Sequence, residues 1–226
     1  MRFAVIYKGG KMELNELKQQ VIDGAILCRD KGLIHGTSGN VSVVCREQNQ
    51  MVITPSGIPY DELTLEKIPV IDLNTGEWLE GECKPSVELC MHRKIFQAKK
   101  KMNAVVHTHS MFATVMSILM DELPAVAAAS TPYSPTKVAP FEIPGSEEIA
   151  DAAVKAMGED NIACLLEFHG LIASGPTLAR AISIAEYIEE NAQTAYYTYI
   201  AGNMREIPKD SYQIMHDRAV RNMGLI

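Results

Sequence analysis

Residues 104–110 read Ala104-Val105-Val106-His107-Thr108-His109-Ser110. Three apolar, mostly β-branched residues lead into two histidines spaced i and i+2, the pattern of a buried strand whose successive side chains point to opposite faces. Both imidazoles therefore lie on one face, where two rings on a rigid strand converge without help from a loop. Neutral imidazole is the commonest side-chain ligand for a divalent transition metal. His169 offers a third donor, at the end of a second apolar run, Leu165-Leu166-Glu167-Phe168-His169-Gly170-Leu171, where the glycine permits a turn or close approach. Three histidines with an open fourth position are the ligand set of a catalytic zinc site, whereas structural zinc usually adds cysteine. The competing reading makes each histidine an ordinary hydrogen-bonded core residue.

Working outward, Lys84-Pro85-Ser86-Val87-Glu88 opens a helix expected to run to about Lys101, with Ser86 as its N-cap. Free N–H groups and the positive dipole end make that start suitable for an anion. Glu88 has two readings, dipole complementation in the first turn or a general base near the metal. Upstream, Gly36-Thr37-Ser38-Gly39-Asn40 precedes a strand, Val41-Ser42-Val43-Val44. A second strand beginning at Met51 runs into Thr54-Pro55-Ser56-Gly57. Both loops expose backbone N–H groups without bulky side chains, a composition suited to cradling an anion. Val70 to Trp78 reads as a hairpin turning at 74–76.

Apolar residues at helical spacing predict a helix from Leu14 to Lys31, stopping near Gly32. Met111 to Leu119 reads as a buried helix, Pro124 to Pro144 as a proline-rich connection, and Ser146 as the cap of a helix ending at Gly158. A long helix from about Leu178 to Ala201 closes the domain, its tyrosines Tyr187, Tyr196, Tyr197 and Tyr199 serving packing or a subunit interface. Residues 1–10, ending in Gly9-Gly10, form an edge strand or a tail.

The 226 residues suit one domain spanning 1–226, and no internal repeat or linker divides them. With 21 Lys and Arg against 28 Asp and Glu, the net charge of −7 argues against a nucleic-acid or anionic-membrane surface, so an anionic substrate must be caught locally. Five scattered cysteines without a C-x-x-C pair suggest a reducing cytoplasm. Neither a signal sequence nor a run long enough to span a membrane is legible, so a cytoplasmic protein is expected.

Taken together and in this order, Gly36-Thr37-Ser38-Gly39-Asn40, Thr54-Pro55-Ser56-Gly57, Pro85-Ser86-Val87-Glu88, His107-Thr108-His109 and His169-Gly170-Leu171 resemble class II sugar-phosphate aldolases of the L-fuculose-1-phosphate aldolase type. The resemblance extends from about Leu14 to Ala201. It implies an α/β fold, a three-layer α/β/α sandwich with a largely antiparallel central sheet, and a homotetramer. It also implies one Zn2+ per chain on His107, His109 and His169, with Glu88 as acid/base and as a further ligand in the resting state. Asn40, Ser56, Gly57 and Ser86 would form the phosphate cradle. The implied reaction cleaves a ketose 1-phosphate to dihydroxyacetone phosphate and an aldehyde, with the metal as Lewis acid and no Schiff-base lysine.

Two positions depart from the pattern. Val87 stands where fuculose-type enzymes carry a second serine, which removes a hydroxyl donor and leaves two expectations, weaker phosphate binding or compensation by Lys84. Ala128 falls where those enzymes carry the tyrosine that protonates the aldehyde oxygen, and Tyr133 is the nearby substitute. Aldehyde contacts are expected from Ala139 to Pro144, a segment that also differs. The related alternatives are a sugar-phosphate 4-epimerase, a methylthioribulose-1-phosphate dehydratase, a 5-deoxyribulose-1-phosphate aldolase and a metal-free adducin-like scaffold. The epimerases tend to carry Asp at the place of Glu88, and a scaffold would lack the histidines or the glutamate.

Overall fold

The computed structural model describes residues 13–223, so the edge strand or tail expected at 1–10 lies outside the described residues. In chain order the elements are α1 (Leu14–Asp30), β1 (Asn40–Cys45), β2 (Gln50–Ile53), β3 (Val70–Asp72), β4 (Trp78–Glu80), α2 (Leu89–Ala98), β5 (Ala104–Thr108), α3 (Met111–Leu119), β6 (Glu122–Leu123), β7 (Thr136–Ala139), α4 (Glu147–Met157), β8 (Ala163–Leu166), β9 (Gly170–Gly175), α5 (Leu178–Ile200) and α6 (Lys209–Met223). The strands form one sheet in the order β4-β3-β2-β1-β5-β9-β8-β7-β6. Every neighbouring pair is antiparallel except β7 with β8.

Helices cover both faces, which is why the central strands read as nearly continuous apolar runs. Along β5, Ala104 and Val106 enter one apolar layer with α1, α3 and α5, while Val105 enters the other with α2 and α4. The expected three-layer α/β/α architecture with a largely antiparallel sheet is thus observed. No helix among the described residues is long and apolar enough to cross a membrane.

Four local expectations are corrected. The helix expected to start at Ser86 starts at Leu89 and ends at Ala98, with Glu88 as N-cap residue. The Ser86 N–H is donated to the Thr54 carbonyl at 3.2 Å, and Pro85 bridges Pro55, so residues 84–87 are tied to the 54–57 loop and are not free to coil. Helix α3 is only half buried: Met111, Ile118 and Leu119 are exposed. The 124–144 connection contains β7 and a 3-10 helix, Ala128–Tyr133. Asn191, buried on α5, organises it, accepting from Val126 N at 3.2 Å, Ala127 N at 3.1 Å and Ser130 Oγ at 2.8 Å while donating to Pro124 O at 2.8 Å. Helix α6 was not anticipated, because its sequence is largely polar; Tyr212 Oη ties it to the Ser134 carbonyl.

Candidate metal centre

His107 occupies β5, and His109 follows one residue beyond its end. The turn carrying His109 is pinned by Glu189 of α5, whose carboxylate accepts from Phe112 N at 2.9 Å and Ala113 N at 2.7 Å at the start of α3. His169 lies in the turn between β8 and β9. Phe168 before it holds φ +57, a left-handed conformation that a bulky residue adopts only under constraint. Gly170 after it presses against β5, since a Cβ there would come within 2.3 Å of the Thr108 carbonyl oxygen. The β5–β9 register sets Thr108 opposite Leu171, and the next step of the same pairing brings His109 to Gly170 and His169.

The three imidazoles consequently meet edge to face, with centroids 4.7 to 4.9 Å apart. Glu88 enters from the N-cap of α2, with Oε2 at 3.1 Å from His107 Nε2 and Oε1 at 3.5 Å from His169 Nε2. One ligand atom from each of Glu88, His107, His109 and His169 lies within 4.8 Å of the others.

The chemistry of this group fits a cation. The His107 Nδ1–H is donated to the Leu171 carbonyl at 3.0 Å, which leaves a lone pair on Nε2. Burial pushes His107 down to about 4. Burial, then the neighbouring His107, brings His109 down to about 4, and His169 is lowered by the same causes. The rings are therefore neutral at neutral pH, the form in which an imidazole can bind a metal. Glu88 Oε1, His107 Nε2 and His169 Nδ1 are buried without a hydrogen-bond partner. Unpartnered buried polar atoms cost about 1–3 kcal/mol each, a cost that a divalent cation would offset at Glu88 Oε1 and His107 Nε2; His169 faces Glu88 with Nε2, so its Nδ1 points away from that centre. No cysteine joins the group, and all five thiols are free; burial pushes Cys28 and Cys164 up to about 12, far from thiolate reactivity.

The small-residue loops converge on the same place. Asn40 opens β1 as the register partner of His107. Gly39 lets β1 enter there, because a Cβ would lie 2.7 Å from the His107 carbonyl oxygen. Val41 N donates to Thr54 Oγ1 at 3.1 Å, and Ser56 N to the Lys84 carbonyl at 2.9 Å, lacing the three segments together. Ser56, Gly57, Lys84 and Val87 are exposed, while Ser86 is buried with its Oγ accepting from Glu88 N at 3.2 Å. The Asn40 Nδ2 donates to Glu88 Oε2 at 2.8 Å, a bond that reading the loop as an anion site did not anticipate. Tyr133 is placed in the apolar layer beside α5, its ring stacked on Tyr187 at 5.9 Å. Two residues near the centre went unread in the sequence. Glu189 left no local signal, whereas His92 did: it follows Glu88 by four residues and so shares its helix face.

Residues 19–196 match the model of the class II aldolase and adducin N-terminal domain family. The 5-deoxy-D-ribulose 1-phosphate aldolase of Bacillus thuringiensis serovar kurstaki is 38% identical over 89% of this chain and 94% of that protein. The L-fuculose phosphate aldolase of Escherichia coli K12 is 40% identical over 84% of this chain and 86% of its own. Among solved structures, an L-fuculose 1-phosphate aldolase superposes with a TM-score of 0.87 at 34% identity, covering 93% of this chain and 99% of that one. The shared motifs, the nine-stranded sheet and these relatives agree, and the chain belongs to the class II aldolase and adducin family.

Proposed function

We propose that this chain is a zinc-dependent aldolase that cleaves a ketose 1-phosphate to dihydroxyacetone phosphate and an aldehyde. The observation that carries the reading is the convergence of Glu88, His107, His109 and His169, with Glu88 Oε1 and His107 Nε2 buried there without a hydrogen-bond partner. The names of the relatives supply the substrate class, since both 5-deoxyribulose and fuculose enzymes act on sugar phosphates.

In this proposal His107, His109 and His169 hold one Zn2+, with Glu88 as a further ligand at rest. Bound zinc supplies a Lewis acid for the carbonyl and neighbouring hydroxyl oxygens of the ketose. Glu88, as acid/base, would move the proton at the dihydroxyacetone phosphate carbon. Ser56, Gly57 and Ser86 orient the phosphate through neutral N–H and O–H donors, which reconciles anion binding with a net charge of −7. Asn40 has two amide hydrogens: one is donated to Glu88, and the second serves the phosphate. Tyr133 is the proposed proton donor to the aldehyde oxygen. A single domain, a cytoplasmic location and a homotetramer complete the reading.

Ala128, at the place of the fuculose-type tyrosine, favours a second substrate over the first: 5-deoxyribulose 1-phosphate, the substrate class named for two relatives. The test is zinc content of the purified protein together with cleavage of both ketose 1-phosphates, read as trapped dihydroxyacetone phosphate. Stoichiometric zinc with release of dihydroxyacetone phosphate is the expected result. Zinc without cleavage would redirect the reading to an epimerase or dehydratase, and failure to take up zinc would leave a scaffold.

A further inference from the structure

His92 lies on α2 with no exposed surface. A buried imidazole is costly unless both nitrogens are partnered, and here they are. Ser42 Oγ is 2.6 Å from Nδ1, and Asn40 Oδ1 is 2.5 Å from Nε2. Two periodicities close this chain of bonds. Asn40 and Ser42 are two apart on β1 and share a face, while Glu88 and His92 are four apart on one face of the α2 start.

The direction of each bond follows from its neighbour. The Asn40 amide turns its NH2 to Glu88 Oε2, which leaves its carbonyl oxygen for His92. A carbonyl only accepts, so Nε2 carries the hydrogen. The imidazole is neutral, burial holding it down to about 3, so Nδ1 has a lone pair and accepts from the Ser42 hydroxyl. Without this clamp the amide is free to turn over, which would set its carbonyl oxygen against the Glu88 carboxyl group.

We propose that His92 is a positioning residue: together with Ser42 it locks the Asn40 amide in the one orientation that presents an N–H to Glu88. The effect on turnover rests on the aldolase reading above; the effect on the amide does not. Outer partners of this kind typically change metal affinity or activity about 10- to 100-fold.

Two measurements test it. In metal-free protein labelled with 15N-histidine, two-bond 15N–1H correlation should find His92 as the neutral Nε2–H tautomer, and an Nδ1–H tautomer would overturn the proposal. In the zinc-loaded enzyme His92→Phe should lower kcat by about 10- to 100-fold with a much smaller change in KM. His92→Gln, which restores a donor toward Asn40 and an acceptor toward Ser42, should recover most of that loss. Equal losses in the two variants that follow their thermal stabilities would reduce His92 to packing and sink the idea, as would an unchanged kcat in His92→Phe. If His92→Phe does not fold, Ser42→Ala takes its place: it removes only the hydroxyl clamp, and the expected result is a mixture of His92 tautomers. A single unchanged tautomer in Ser42→Ala would overturn the clamp. A wild-type protein that cleaves no ketose phosphate would defeat the aldolase reading, and the tautomer measurement would still decide the proposal about His92.

Discussion

His107 donates its Nδ1–H to the Leu171 carbonyl across the β5–β9 pairing, at 3.0 Å, and this bond leaves Nε2 as a lone pair 3.1 Å from Glu88. The sheet thereby selects the tautomer that a metal needs, before any metal arrives. Replacing His107, His109 or His169 with Ala should each abolish stoichiometric zinc binding, measured by elemental analysis, while circular dichroism reports a folded chain. Retention of one zinc per chain in all three would rule out the ligand assignment.

Glu88→Gln separates holding from proton transfer. Three histidines remain, so zinc should stay bound, while exchange of the dihydroxyacetone phosphate C–H protons with solvent deuterium should fall by about 10²- to 10⁴-fold. Exchange at the wild-type rate would remove Glu88 from the acid/base role.

Ser56 is exposed on a loop whose backbone is held to Lys84. Its hydroxyl can therefore be removed with little effect on the fold. Ser56→Ala should raise KM for a ketose 1-phosphate by about 10- to 100-fold, the value of one hydrogen bond to a charged group. The unphosphorylated ketose should be unaffected.

Metal-free protein should lose stability on acidification. His92, His107 and His109 are depressed to about 3, 4 and 4 in the folded chain, and His169 is lowered as well. In the unfolded chain each titrates near 6.5, roughly the unperturbed value. The unfolded state therefore takes up protons first, and stability present above about pH 6.5 is lost as the pH falls toward 4. Urea denaturation of chelator-treated protein at neutral and mildly acid pH checks the sign, with a slope of up to about 1.4 kcal/mol per pH unit for each of the fully buried His92 and His107 and a smaller one for His109 and His169.

Burial raises the Tyr133 phenol above its ordinary value, so it keeps its proton at neutral pH and is competent only as a donor. As donor to the aldehyde oxygen, its replacement by Phe should lower cleavage by about 100-fold while leaving C–H exchange intact. Cleavage unaffected in Tyr133→Phe would return the residue to a packing role against Tyr187.

Local patterns carried much of this chain. The i, i+2 histidines of β5, the apolar spacing of α1, and the Ser146 cap that accepts from Ile149 N at 3.2 Å all rest on contacts within a few residues, so periodicity and capping reveal them. The failures are non-local. Pro85 and Ser86 satisfy every local rule for opening a helix, and Ser86 Oγ does accept from Glu88 N, yet Pro85 is bridged to Pro55 and the regular helix begins only at Leu89. Helix α6 is too polar to announce itself and is held by a bond from Tyr212 to Ser134, 78 residues away.

The sequence by itself determined the donor types, the shared face of His107 and His109, and the small-residue loops, because side-chain chemistry and strand period are local properties. Tertiary structure alone decided which of these meet. Glu88 and Asn40 are 48 residues apart and His92 and Asn40 are 52 apart. They touch because β1 pairs with β5 and α2 packs across that pair, an arrangement set by burying two apolar layers at once rather than by any short motif.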